Sequence, residues 1–140
     1  MLGKEEQRLP ENILKIAVRS DNEFGWKQKD VLEVIEAAKK VPMAIIGGQV
    51  QYVLPAGTCE LYWLSYDATD RKTNERWIDY CNRTANEVSE KFRRLLSIDI
   101  QKEAVEAFSD ILSNDLNAFD KLNDYQTFIL YFDDTETDSF

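Results

Sequence analysis

The residues best suited to catalysis in this sequence are carboxylates, because the chain contains no histidine. The absence of an imidazole excludes Ser-His and Cys-His nucleophile pairs and any zinc site that uses histidine. Glu60, Asp67 and Asp70 lie close together in the sequence, and carboxylates can carry out acid–base chemistry alone. Nothing in the sequence predicts a buried site that would shift their pKa values. We therefore interpret them as surface acids, and an enzyme would require them to converge in a deep pocket.

Other reactive groups also give little support for catalysis or metal binding. Cys81 falls on the apolar stripe of a predicted helix, which is a poor position for a nucleophile, and Cys59 is interpreted as a reduced, buried thiol. Asp133 and Asp134 lack the Asp/Asn/Gly pattern of a calcium loop. The sequence therefore predicts a protein that is not an enzyme and that has no cofactor and no metal site.

The glycine pair Gly47-Gly48 has two possible interpretations. A phosphate-binding loop needs a helix N-terminus after it and usually a lysine, whereas the strand-like QVQYVL follows here. Glycines also supply the positive φ angles of a tight hairpin turn. We therefore predict a hairpin turn at this pair.

Apolar residues at spacings of three and four predict four helices. The third is the longest and most regular, with a stripe of six apolar residues and a polar cap at Thr73 or Asn74. The predicted helices are Leu9–Arg19, Lys27–Lys40, Asn74–Leu96 and Ile100–Phe119.

Runs of β-forming residues predict four strands. They are Met43–Ile46, Gln49–Leu54, Cys59–Ser65 and Tyr125–Phe132, and the last is apolar on both faces, as in an interior strand. The predicted class is α+β, with a small antiparallel sheet (a hairpin or meander plus a C-terminal strand) packed against several helices. One domain is expected over residues 1–140, with flexible ends at 1–8 and 133–140.

The net charge of −9 is concentrated at one end of the sequence. Residues 1–98 contain 15 acidic and 15 basic residues, whereas residues 99–140 contain 11 acidic and two basic ones. An acidic surface repels nucleic-acid phosphates and attracts basic proteins. The charge is also compatible with a merely soluble acidic face.

Aromatic residues crowd the third predicted strand and the start of the long helix. They are Tyr62, Trp63, Tyr66, Trp77 and Tyr80. Trp77 fits a core position, whereas Tyr62, Tyr66 and Tyr80 fit either the core or a protein interface. Alternation places Tyr62 and Trp63 on opposite faces of the strand, so both enter a core only if both faces are covered.

The order of elements over about Leu9–Leu96 resembles an immunity-protein family of bacterial polymorphic toxin systems, immunity protein 40. The resemblance is carried by DVLEVIEAAKK, AIIGGQVQYV, DATDRKTN and ERWIDYCNRTANEVSEKF, which contain Gly47, Gly48, Trp77 and Tyr80 as structural motif residues. Gln49 stands where the family has an acid after the glycines. The resemblance implies a protein that binds a cognate toxin domain and blocks it.

These observations favour an immunity protein that occludes a toxin, and the negative charge favours a basic one. The predicted contacts are Glu60, Tyr62, Tyr66, Asp67 and Asp70, with the tail acids Asp133, Asp134 and Glu136 as an electrostatic steering patch. The alternative is a non-catalytic adaptor or regulatory subunit that uses the same surface for a permanent partner. We expect a cytoplasmic monomer or weak homodimer that binds neither nucleic acid nor membranes, because no apolar run is long enough to span a bilayer and no export signal is present.

Overall fold

The protein is an α+β fold built on a five-stranded antiparallel sheet, as the sequence predicted. The computed structural model describes residues 5–20, 23–55, 57–113 and 121–136. The strands are β1 Val18–Ser20, β2 Glu23–Trp26, β3 Ala44–Leu54, β4 Gly57–Ser65 and β5 Gln126–Asp133. Their order across the sheet is β1-β2-β5-β3-β4. The strand that comes last in the sequence therefore lies at the centre of the sheet.

Helices cover the core face of this sheet. They are α1 Glu11–Lys15, α2 Val31–Lys40, α3 Trp77–Leu95, α4 Ile100–Ala107 and α5 Ser109–Ser113, with 3-10 helices at Glu6–Arg8, Gln28–Asp30 and Leu122–Tyr125. Both α2 and α3 pack against β3 and against each other. All six residues of the predicted α3 stripe are buried, so that prediction is confirmed; they are Trp77, Cys81, Ala85, Val88, Phe92 and Leu95.

The central strand β5 is buried on both faces over most of its length. Phe128, Leu130 and Phe132 join the hydrophobic core, and Ile129 on the opposite face is also fully buried. The prediction of an interior strand here is confirmed.

The N-terminal prediction is partly wrong. The helix expected over Leu9–Arg19 ends at Lys15, and the chain then forms the β1–β2 hairpin, which was not predicted. Burial explains the difference, because Trp26 enters the core and its indole Nε1 donates to the Ile13 carbonyl at 2.9 Å. The 3-10 helix Glu6–Arg8 lies within the end that was expected to be flexible.

The helix predicted over Ile100–Phe119 is interrupted. Phe108 adopts φ −123° and ψ 31°, which separates α4 from α5, and residues 114–120 lie outside the described residues. At the start of α3, Asn74 adopts a positive φ of 63° that asparagine tolerates, and the helix begins three residues later than predicted.

Gly47-Gly48 does not form a turn, so the predicted hairpin at this pair is wrong. β3 runs continuously through both glycines, with an irregular register between Ile45 and Gly47. A side chain on Gly48 would lie 1.8 Å from the carbonyl oxygen of Ile129, and one on Gly47 would lie 2.6 Å from the Asp67 Cα. The glycines are required because neighbouring chain segments approach closely. The hairpin turn lies instead after Leu54, which pairs with Gly57; Ala56 lies outside the described residues.

Candidate protein-binding surface

The edge strand β4 contains a large bulge that places two aromatic rings on the surface. Val50 of β3 pairs with Leu61, but the preceding residue Gln49 pairs with Ser65. Tyr62, Trp63 and Leu64 therefore have no register partners on β3; we call these three residues the bulge. Leu61 and Leu64 are buried on either side, whereas Tyr62 is 71% exposed and Trp63 is 41% exposed.

Contacts from helix α4 hold the bulge in place. The Trp63 ring stacks on Phe108, with 6.3 Å between centroids and an interplanar angle of 27°. Its indole Nε1 donates to Glu103 Oε1 at 3.3 Å. The Tyr62 ring contacts the Trp63 ring edge-on, with centroids 5.2 Å apart. The two exposed rings are therefore positioned by packing rather than free in solvent.

Carboxylates gather around Tyr131 on the sheet face opposite the helices; we call Glu23, Glu60, Asp67 and Tyr131 the acidic face. The Tyr131 hydroxyl donates to a carboxylate oxygen of Glu23. Burial first, then this hydrogen bond and the negative charges of Glu23, Glu60 and Asp67, raise the pKa of Tyr131. The structure thus brings together two predicted site residues, Glu60 and Asp67, and adds Glu23 and Tyr131.

Asp67 is fixed on the acidic face by backbone contacts. Its carboxylate Oδ1 accepts from the Gly48 amide at 3.3 Å, and its carbonyl oxygen accepts from Lys91 Nζ. The missing side chain at Gly47 leaves the space that Asp67 occupies. The glycine pair therefore positions a carboxylate on the surface.

Three of the other predicted acids, Asp70, Asp133 and Glu136, lie near α3. Burial, followed by the charges of Asp133 and Asp70, raises the pKa of Tyr80. Burial, followed by the charges of Glu136 and Asp133, raises the pKa of the Cys81 thiol to about 12. The acids that raise the pKa of Tyr131 are thus not the ones that raise the pKa values of Tyr80 and Cys81. Asp134 belongs to neither set. Its charge instead adds to the rise in the pKa of Glu6, which burial causes in the main.

Hydrogen bonds and ion pairs from Arg83 hold the segment between β4 and α3 against the helix. The Arg83 guanidinium donates to both oxygens of Glu75 at 2.7 and 2.9 Å and to Glu87 at 2.7 Å. It also donates to the Thr69 hydroxyl at 2.7 Å and to the Asp70 carbonyl at 3.0 Å. This network orders the backbone that carries Asp67 and Asp70.

Trp77 and Tyr80 lie in the interior of the protein at the start of α3. Both are buried, and their rings contact each other at 5.7 Å. The guanidinium of Arg71 lies 5.5 Å from the Trp77 ring centroid and 5.6 Å from that of Tyr80. Cation–π contacts of this kind also stabilise the segment between β4 and α3 against the helix.

Tyr66 does not belong to the surface, so the prediction of a partner contact at this residue is wrong. Its side chain is 0% exposed, and its hydroxyl donates to the Ile129 carbonyl at 2.7 Å and lies 3.0 Å from the Gln49 carbonyl. Burial raises the pKa of Tyr66 well above its ordinary value. The phenol ties the segment after β4 to the centre of the sheet.

Glu60, Asp67 and Asp70 are exposed and line none of five grooves of 240–480 Å³ found on the described surface. Within the described ranges, no three Cys, Asp or Glu side chains are arranged to hold a metal ion. Nor does any helix in the part of the chain described here have the length and apolar character needed to cross a membrane.

Four residues of this surface were not predicted from the sequence: Glu23, Trp63, Phe108 and Tyr131. A signal for Tyr131 was present, because placing Phe128, Leu130 and Phe132 inward leaves Tyr131 on the outer face by alternation. Phe108 is half-buried, packs against the hydrophobic core and supports Trp63. No sequence signal connects Glu23 with Tyr131, because their contact spans 108 positions.

The fold and surface define an α+β protein with acidic and aromatic groups exposed on its sheet. Comparison of the sequence with protein-family models gives no match, and comparisons with curated proteins and with solved structures give no significant match. The resemblance to an immunity-protein family therefore stays a prediction.

Proposed function

We propose that this protein is an immunity protein that binds a basic toxin domain and blocks it by occlusion. The observation that carries the proposal is the acidic face, where three carboxylates act on the partly exposed Tyr131. Carboxylates gathered around one phenol give this part of the surface a negative potential, which attracts cations. A lysine- or arginine-rich surface supplies such cations, and a phenol ring among the carboxylates adds a cation–π surface.

The adjoining residues support the same proposal. Glu60 and Tyr62 are exposed on either side of the buried Leu61, so β4 presents an acid and an aromatic ring together. Aromatic residues surrounded by polar groups are typical of protein interfaces. The net charge of −9 attracts a basic partner over a longer distance and raises the rate of encounter.

An immunity protein requires a cognate toxin, whose gene is expected beside its own, and co-expression with the toxin domain encoded there tests the proposal. The test variant combines Glu23→Gln, Glu60→Gln and Asp67→Asn, which removes three charges and keeps the acceptor oxygens for Tyr131 and Gly48. The control variant combines Glu33→Gln, Glu36→Gln and Glu106→Gln, which are exposed acids on α2 and α4. Both variants change the net charge equally, so only position distinguishes them.

We expect the wild-type protein and the control variant to protect the cells and to co-purify with the toxin domain. The test variant should bind at least about tenfold more weakly, because close charge pairs at interfaces contribute more than 1.4 kcal/mol. Survival of the cells without this protein, or full protection by the test variant, would contradict the proposal.

A further inference from the structure

We propose that the bulge is a rigid anchor: Tyr62 inserts into a pocket on the basic partner, and that pocket is rimmed by lysine or arginine side chains. The identity of the partner as a toxin domain rests on the proposed function above. The anchor itself rests on the geometry of β4 and α4.

Tyr62 is preorganised for binding. An exposed side chain usually loses conformational freedom on binding, which weakens the complex. The Tyr62 ring already packs edge-on against Trp63, and Trp63 is held by Phe108 and Glu103. Buried Leu61 and Leu64 fix the backbone on both sides. These contacts restrict the Tyr62 side chain before binding, although 71% of it is open to solvent.

Acidic side chains surround the anchor and favour a basic partner. Glu60 precedes Tyr62 on the exposed side of β4, and Glu103 lies against the Trp63 indole. Farther along the same sheet are the carboxylates of the acidic face. A pocket that receives Tyr62 brings its rim against these acids, so lysine and arginine are the residues that fit there.

A groove beside the bulge offers the partner a second place of contact. A groove of about 280 Å³ is lined by Trp63, Leu95 and Ile98, with Lys91 and Arg94 also on its wall. Arg94 pairs with Glu90 and Lys91 donates to the Asp67 carbonyl, so both cations are engaged within the protein. An apolar side chain next to the partner's pocket would cover the exposed parts of Trp63 and Ile98.

The anchor and the acidic face should affect different rate constants. Charges that act at a distance mainly change the association rate and its dependence on salt. A ring buried in a pocket mainly changes the dissociation rate. This difference separates the anchor from a tyrosine that merely lies near a charged interface.

The experiment measures association and dissociation of the full chain with an inactivated form of the toxin domain encoded beside the gene, at several salt concentrations. The variants are Tyr62→Ala, the triple charge variant, and Ile78→Ala as a control in which an exposed apolar side chain is removed. We expect Tyr62→Ala to dissociate about 30-fold faster, as for a residue that dominates an interface. Its association rate and salt dependence should match those of the Ile78→Ala control.

The outcomes separate the two proposals. If Tyr62→Ala dissociates no faster than Ile78→Ala while the triple charge variant associates more slowly, the anchor is refuted and the proposed function stands. If the wild-type chain does not bind the toxin domain, the proposed function fails and the partner named for the anchor fails with it.

Discussion

Replacing Glu75 by glutamine tests whether Arg83 fixes the segment between β4 and α3. The hydrogen bonds from Arg83, more than any other cause, lower the pKa of Glu75 from 4.5 to about 2. At about 1.36 kcal/mol per pKa unit, this shift corresponds to roughly 3 kcal/mol. The Glu75 side chain is 10% exposed, so solvent screens part of the interaction. We expect Glu75→Gln to lower the free energy of unfolding by about 1–3 kcal/mol at pH 7.

The dependence on pH has a definite sign. Because the pKa of Glu75 is lower in the folded state, its ionised form stabilises the fold above pH 4.5, and this contribution is lost as the pH falls from 4.5 towards about 2. The glutamine variant has no such group. The difference in unfolding free energy between the wild type and the variant should therefore shrink as the pH is lowered through this range.

Urea unfolding followed by tryptophan fluorescence, between pH 7 and pH 3, measures both effects. Glu90→Gln is the control, because it also removes a glutamate that pairs with an arginine of α3, but the Glu90 and Arg94 side chains are 63% and 72% exposed. Such a pair contributes only about 0.3–0.5 kcal/mol. The reasoning is refuted if Glu75→Gln is no more destabilising than Glu90→Gln, or if the difference from wild type is unchanged at low pH.

Three further outcomes follow from the structure. Gly48→Ala should lower the free energy of unfolding by about 3 kcal/mol, because the added Cβ would lie 1.8 Å from the Ile129 carbonyl oxygen; a urea-unfolding loss below about 1 kcal/mol would contradict this close approach. Tyr66→Phe should cost about 1–3 kcal/mol in thermal unfolding, because buried carbonyl groups lose their donor; an unchanged melting temperature would disprove that role. Burial raises the pKa of Cys81 to about 12 and also raises the pKa of Cys59. A thiol reagent at pH 8 should therefore label neither cysteine in the folded protein and both after denaturation. Rapid labelling of the folded protein would count against the burial of these thiols.

Elements whose signal is local could be predicted from the sequence. The α3 stripe repeats every three or four residues over five turns of helix, and Pro42 marks the end of the preceding helix, so both helices were recognised. The β1–β2 hairpin was missed because strands of three and four residues are too short for alternation to be distinguished from helical spacing. Its position depends on Trp26 entering a core formed by distant residues.

The candidate surface was only partly predictable because the bulge changes the phase of β4. Regular alternation from Leu61 would send Tyr62, Leu64 and Tyr66 to the same outer face. The insertion turns Leu64 and Tyr66 inward and leaves Tyr62 and Trp63 outside. A shift of register reverses which side chains are buried, and no local pattern in CELYWLS marks where that shift occurs.

The central position of β5 has a consequence for how the molecule is made. β1–β2 and β3–β4 are each local hairpins, but both must pair with a strand at residues 126–133 to become one sheet. During synthesis the residues of both hairpins leave the ribosome before those of β5. Until β5 emerges, β2 and β3 lack the strand with which each pairs. Assembly of the complete sheet is thus a late step in synthesis, and a chain that ends before residue 126 lacks the strand that joins the two hairpins.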